Sequence, residues 1–514
     1  MRFLTAIELG LLLALCWPWA RLLIDPRRRL ARIAPRMFAA MAVLLLAGAS
    51  AAMFAALRAP ALLHIGAAIA VIVAAVAGWR ARPHYGRTRG LPPGSLALSR
   101  SIEAVIDREF YTHEWRRHGP IFKMAQFHRP VVCVVGLELA HDLIRSHHAQ
   151  LGPSPLPWND ELRGGFLRYM DEATHDVYGA LFRVALSGAI VEAAEPALRR
   201  TARRELEALA ATASDAKGGE RGSASPGPAL DRIVFAAFAR VLFGIEEESP
   251  AFLDLARDHA VLREHHLSTP LNARSRAALD RLRALVEDRA AEIRAARAGD
   301  EARSCALAEL RRAAPGMPDG VCVDNLLFIL RIATDNVGAL LRWLIKTLGE
   351  QPQWSHLLRC ELAAGAPDGT AAPRLADRIV METLRLAQSE YLYRVVREEF
   401  EHGGFVFPSG WQLRVCVRES HRDEQIWPDA ASFDPDRFLP RAVPRTHYSP
   451  FGFHQHACNG VDLNNMICRV TLEQLAAGFD WSIARDGALE RDFRHWSHWR
   501  PSAQLAIAIS PRAN

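Results

Sequence analysis

One cysteine constrains this chain more than any other residue. Cys458 stands in Phe451-Gly-Phe-His-Gln-His-Ala-Cys-Asn-Gly460, a short loop closed by a glycine. Beyond the loop, Leu463, Met466, Ile467, Val470, Leu472, Leu475 and Ala476 recur at helical spacing. The sulfur is therefore presented just ahead of a helix N-terminus, where unpaired N–H groups and the helix dipole favour a thiolate. The other cysteines, at 16, 133, 305, 322, 360, 416 and 468, are scattered. Their spacing suggests no disulfide framework, and a reducing compartment suits them. A thiolate with no second cysteine nearby fits a lone axial ligand to haem iron. Two plainer readings compete: half of a zinc site made of His454, His456 and Cys458, or a buried structural cysteine. Structural zinc takes four ligands, usually in two close pairs, and no second His/Cys cluster lies nearby.

Three distant segments bear on that choice. Val323 to Leu348 keeps a helical pattern through Leu326, Leu327, Leu330, Ala333, Val337, Leu340, Leu341 and Leu344. Inside it, Ala333-Thr-Asp-Asn-Val-Gly338 puts Asp335 and Asn336 in mid-helix. Such side chains compete for backbone hydrogen bonds there, so a kink or a helix N-cap is the plain explanation. Glu382-Thr-Leu-Arg385 lies on a further helix framed by Ile379, Leu384 and Leu386. Taken alone it is an ordinary i,i+3 pair of roughly 0.2–0.5 kcal/mol. Phe433-Asp-Pro-Asp-Arg-Phe438 brings Arg437 shortly before the cysteine loop. Between them come Arg394, the strand and turn of Gly404-Phe-Val-Phe-Pro-Ser-Gly410, His421 and Trp427-Pro428.

Taken in this order, the segments resemble the cytochrome P450 family, and its membrane-anchored, bacterial-like members in particular. Phe451, His456, Cys458 and Gly460 match the haem-binding signature, while His454 stands where the family usually has Gly. Residues 333–338 resemble the oxygen-activation helix, whose pattern is small-small-x-acid-Thr. Asp335 matches the acid, and Asn336 replaces the Thr whose hydroxyl helps deliver protons. Glu382 and Arg385 match the pair that locks to an arginine ahead of the haem loop, here Arg437. The resemblance makes this triad structural. It also makes Arg394 and His456 partners of the haem propionates. Relatives carry a further His or Trp, and an Arg four residues on, along an early helix. Tyr178 and Phe182 hold those places here, with Arg183 one step along.

The resemblance covers about Leu91 to the C-terminus. It implies a mainly α fold with a small β region, haem b ligated by Cys458, and monooxygenation of a small lipophilic substrate. No flavin- or iron–sulfur-binding segment is recognisable, so the electrons of NAD(P)H are expected through a separate ferredoxin, flavodoxin or reductase. Asn336 opens an alternative, because an amide donates and accepts only through separate ends. The enzyme would then use peroxide or catalyse an oxygen-independent rearrangement. A non-catalytic membrane haem sensor is the competing class, and it would have no need of Asp335.

The N-terminal part lies outside the resemblance. Three apolar runs, about 3–24, 37–57 and 61–79, are each long enough to cross a bilayer as a helix. A cleaved signal peptide fits less well, since two more runs follow the first. Arg21, Arg27, Arg28, Arg29, Arg32 and Arg36 follow the first run, and Arg80, Arg82, Arg87 and Arg89 follow the third. Only Arg58 separates the second from the third. The positive-inside rule thus predicts an integral protein of an inner or cytoplasmic membrane, N-terminus outside and large domain in the cytoplasm. The formal charge of +6 reflects these arginines. With no basic–aromatic stripe it does not indicate nucleic-acid binding. The expected organisation is a membrane anchor over 1–82, a hinge over 83–98 that includes Leu91-Pro-Pro-Gly-Ser95, and a haem–thiolate catalytic domain over 99–514. In that domain, 120–126 and 131–135 read as a β-hairpin, Ser214 to Pro228 as a surface loop, and 250–300 as two or three helices.

Overall fold

In the computed structural model the chain divides into two units, Met1–Leu91 and Pro92–Asn514. The structure describes residues 89–514, apart from 127–128, 155–156, 216–221, 268, 296–304, 366–372, 389, 440–442, 493–497 and 513–514. The three apolar runs lie outside the described residues. Among these, one helical stretch, Ala173–Asp215, is long and apolar enough to cross a membrane. Its Val191, Leu198 and Leu206 are buried in the domain core, as in a core helix.

Helices dominate, as the 3.6-residue periodicity requires: α1 (Leu98–Ile106), α2 (Phe110–His118), α3 (Leu137–Ser146), α4 (Glu172–Ala185), α5 (Gly188–Asp215), α6 (Gly227–Phe243), α7 (Pro250–Glu264), α8 (Ala273–Ala295), α9 (Ala306–Ala313), α10 (Asp319–Glu350), α11 (Pro352–Ala364), α12 (Leu375–Thr383), α13 (Val417–Ser420) and α14 (Val461–Gly478). The strands are short: β1 (Gly94–Ser95), β2 (Ile121–Gln126), β3 (Arg129–Val134), β4 (Leu151–Pro153), β5 (Ser223–Ala224), β6 (Tyr391–Val396), β7 (Phe400–His402), β8 (Phe405–Phe407), β9 (Gln412–Cys416), β10 (Phe479–Arg485), β11 (Leu489–Asp492), β12 (His498–Pro501) and β13 (Ala506–Pro511).

Six strands form one sheet in the order β1-β2-β3-β9-β6-β4. The predicted hairpin is its β2–β3 pair, in register from Ile121↔Val134 to Gln126↔Arg129. The proline-rich hinge feeds straight into this sheet: Gly94 and Ser95 pair with Lys123 and Met124. Gly94 has φ +112°, and a Cβ there would lie 2.2 Å from the Lys123 carbonyl oxygen, so only glycine fits. Among the described residues, the 250–300 region is two helices, α7 and α8.

α10 is the axis of the helical part. Its Leu326, Leu330, Leu340, Leu341 and Leu344 are all at most 1% exposed, as expected of a helix that is apolar on nearly every face. It runs unbroken through Ala333–Gly338. Thr334 donates its hydroxyl back to the Leu330 carbonyl (2.9 Å), and Asp335 is taken up by arginines. The polar side chains therefore leave the backbone ladder intact.

Candidate functional site

The cysteine loop is built by tight backbone turns. Phe453 is extended, His454–His456 make one 3-10 turn, and α14 starts at Val461. The Cys458 N–H donates to the Phe451 carbonyl (2.9 Å), and the Gly460 N–H points at the Cys458 sulfur (3.4 Å). His454, in the place of the usual Gly, adopts φ +59°. That left-handed conformation costs about 1–2 kcal/mol. Its imidazole Nε2 meets the His141 carbonyl (3.3 Å), while the His141 ring stacks on Phe453 at 3.7 Å. Gln455 donates to Asp176 of α4 (3.1 Å). The loop is thus clamped between α3 and α4.

The Cys458 side chain is open to solvent, yet it lies deep enough that burial raises its thiol pKa, against the pull of the Gly460 N–H. Both hold for a sulfur lining an interior space. Burial outweighs the Gly460 N–H in the protein alone; a metal, which deprotonates a coordinating thiol outright, would supply the thiolate expected from the sequence.

Around the same loop lies a cluster of arginine and histidine side chains. Arg168 and Arg394 both donate to the Tyr393 carbonyl, at 3.1 and 2.9 Å. The His456 ring meets the His175 ring edge-on at 4.6 Å. Burial, then Arg168, pushes Arg394 down to about 9. His456 is pushed down to about 3 by burial first, then by Arg394, Arg168 and His175. Arg168 Nε and His456 Nδ1 are buried without a hydrogen-bond partner among the described residues. Among the described residues, no carboxylate acts on Arg168 or Arg394. Buried cations normally come paired, so these residues fit a group that brings its own carboxylates, as haem does with its two propionates.

Of the residues expected there, Arg394 and His456 are in the cluster. Arg183 is exposed on α4, with Phe182 fully buried and Tyr178 half-buried beside it. The helix instead contributes His175 from its first turns, and Arg168 comes from the 3-10 turn Leu167–Tyr169. Sequence reasoning missed both. His175 was findable, one turn ahead of Tyr178. Arg168 sits outside any periodic pattern, so nothing in the sequence marks it.

On α10, Ile329, Ile332, Ala333 and Asn336 are half-buried amid buried neighbours. Their spacing of three, one and three puts them on one stripe, the half-exposed side of this part of the helix. Asp335 is turned away, roughly a third of a turn round the helix. Its carboxylate is held by Arg331 (2.5 Å) and by the Nε of Arg263 from α7 (2.8 Å).

The third element is the Glu–Arg pair. Arg385 bonds both oxygens of Glu382, at 2.7 and 2.8 Å, and both residues are fully buried. The remaining guanidinium donors go to the carbonyls of His421 (2.8 Å), Ala430 (2.8 Å) and Ser432 (3.1 Å). Glu382 also accepts from the Asp434 N–H (2.9 Å) and pairs with Arg437 (3.4 Å). Arg437 in turn donates to the Pro428 and Asp429 carbonyls. Every charge is answered.

A family model described as Cytochrome P450 matches residues 107–505. Abscisic acid 8'-hydroxylase 3 of Oryza sativa subsp. indica is 26% identical over 439 residues, covering 78% of this chain and 83% of its own length. Abscisic acid 8'-hydroxylase 2 of Arabidopsis thaliana is 24% identical, covering 82% and 90%. Among solved structures, the retinoic acid bound cyanobacterial CYP120A1 superposes with a TM-score of 0.66 at 21% identity, covering 82% of this chain and 99% of that one.

Proposed function

The chain belongs to the cytochrome P450 family, and from that premise we propose that it hydroxylates a small lipophilic substrate of the terpenoid-acid class. As a family member it is a monooxygenase that uses haem b and electrons from NAD(P)H via a reductase. The substrate class rests on the abscisic acid hydroxylases among its relatives. When bound, the haem supplies the oxygen-transfer chemistry.

This chain's own residues do the rest. Cys458 would hold the haem iron through its thiolate, within a loop framed by Phe451 and Gly460. Arg394 and His456, joined by Arg168 and His175, would hold the propionates. The observation that carries the reading is this cluster, in which Arg168 and Arg394 are buried and no carboxylate among the described residues acts on either, beside a lone cysteine. The stripe Ile329, Ile332, Ala333 and Asn336 walls the substrate space. Asn336 holds a water by its separate donor and acceptor ends, and that water passes protons where relatives use a hydroxyl. Asp335 acts as a positioning residue through Arg331 and Arg263. Glu382, Arg385 and Arg437 keep the loop on the helical core.

The three apolar runs support attachment to an inner or cytoplasmic membrane, with the catalytic domain on the cytoplasmic side and a separate ferredoxin, flavodoxin or reductase as donor. The named relatives are plant proteins, so the bacterial-like character expected from the sequence has no support among them. The test is turnover of lipophilic acids by the full chain with NAD(P)H and a reconstituted reductase, under isotopically labelled O2. One labelled oxygen is expected in the product. Product formed without O2 would replace this reading by the peroxide-driven or rearranging enzyme that Asn336 suggests.

A further inference from the structure

A cavity about 850 Å3 in volume lies apart from the cysteine loop. It borders α10 at Arg342, seven residues beyond Asp335 and on the same helical face, away from the half-open stripe. Four guanidinium-bearing residues from four elements line it: Arg263 of α7, Arg342 of α10, Arg491 of β11 and Arg500 of β12. Its acids are Asp231, Glu264 and Glu490, and each is already engaged. Asp231 is shared by Arg342 (2.8 Å) and Arg263 (3.5 Å). Glu490 pairs with Arg500 (3.1 Å), and Glu264 with Arg274, which is not part of the wall (3.1 Å). Arg491 rests over the Trp499 ring at 5.5 Å, and its buried Nε makes no hydrogen bond among the described residues. The start of α6 also lines the cavity, and its N-cap Pro226 provides no side-chain cap, which adds the positive end of a helix to the same space. A volume of this size holds a small organic molecule.

We propose that this cavity binds a small organic oxyanion, a polycarboxylate or a phosphate ester, and that the occupant acts on Asp335 through Arg263. Arg263 is the link because one guanidinium lines the cavity and binds the Asp335 carboxylate at the same time. An anion drawing on Arg263 weakens its hold on Asp335 and leaves Arg331 as the stronger partner. The coupling half rests on the reading of α10 as the oxygen-activation helix; the binding half does not.

Calorimetric titration of the haem-loaded full chain with citrate and, separately, pyrophosphate tests the binding half without turnover. Saturable binding of at least one probe is expected. It should weaken about tenfold or more in an Arg491→Gln/Arg500→Gln variant that keeps its haem spectrum and its substrate-binding spectrum. Equal affinity in the variant, or no saturable binding of either probe, overturns the site. Saturating probe is further expected to change the ratio of product to NAD(P)H consumed about twofold or more in the wild type and not in the variant. Binding without that change overturns the link through Arg263.

Discussion

The triad of Glu382, Arg385 and Arg437 and the cluster of Arg168, Arg394, His175 and His456 both bury cationic side chains beside the cysteine loop. The arginines of the first are given a counter-charge; Arg168 and Arg394 of the second are not. Arg385 finds both oxygens of one carboxylate and three carbonyls. Arg394 finds a neighbouring carbonyl and another arginine. A closed network binds nothing further and holds segments together; an open one stores unfavourable desolvation and repulsion that a bound dianion relieves. The same residue type is thus structural in one place and receptive in the other.

Breaking the closed network has the largest expected effect. Arg385→Ala leaves Glu382 charged and buried, at a cost of about 3–5 kcal/mol. Its denaturant midpoint should fall in the apoprotein as well as the holoprotein, and the purified protein should lack haem. Arg394→Ala sharpens the contrast. Haem affinity should drop by roughly 1.5–3 kcal/mol, the worth of hydrogen bonds to charged groups, read by haem transfer to apomyoglobin. Apoprotein stability should stay level or rise, because repulsion with Arg168 is relieved. An apoprotein destabilised as much as Arg385→Ala would erase the distinction.

Asn336→Thr probes the open side with less force. Stability and haem content should be unchanged, while the product formed per NAD(P)H consumed rises a few-fold. No change would mean that the residue has no part in proton delivery.

The smallest effect concerns a closed pair near the surface. Glu195 of α5 bonds Arg469 of α14 (2.6 Å) and Arg199 (2.7 Å). Its carboxyl is lowered to about 2, chiefly by the hydrogen bond from Arg469. A depressed carboxyl contributes stability that is complete above its ordinary value of about 4.5. That contribution fades as pH falls towards 2. Glu195→Gln should cost about 1 kcal/mol or less at pH 7, with the gap in melting temperature narrowing between pH 4.5 and 3.

What the sequence determined by itself was local in kind. The Cys458 loop and its following helix, the α10 periodicity, the β2–β3 hairpin and the spacing of Glu382 and Arg385 all follow from short-range pattern, which backbone geometry translates directly. Tertiary structure decided whatever depends on distant segments meeting. It brought Arg168 and His175 to Arg394 and His456, left Arg183 in solvent, and turned Asp335 towards Arg263 rather than towards the stripe that keeps Asn336. It also put four arginines around one cavity. A guanidinium four bonds out from its Cα takes its role from whichever charge the packing brings within reach, and no spacing along the chain records that.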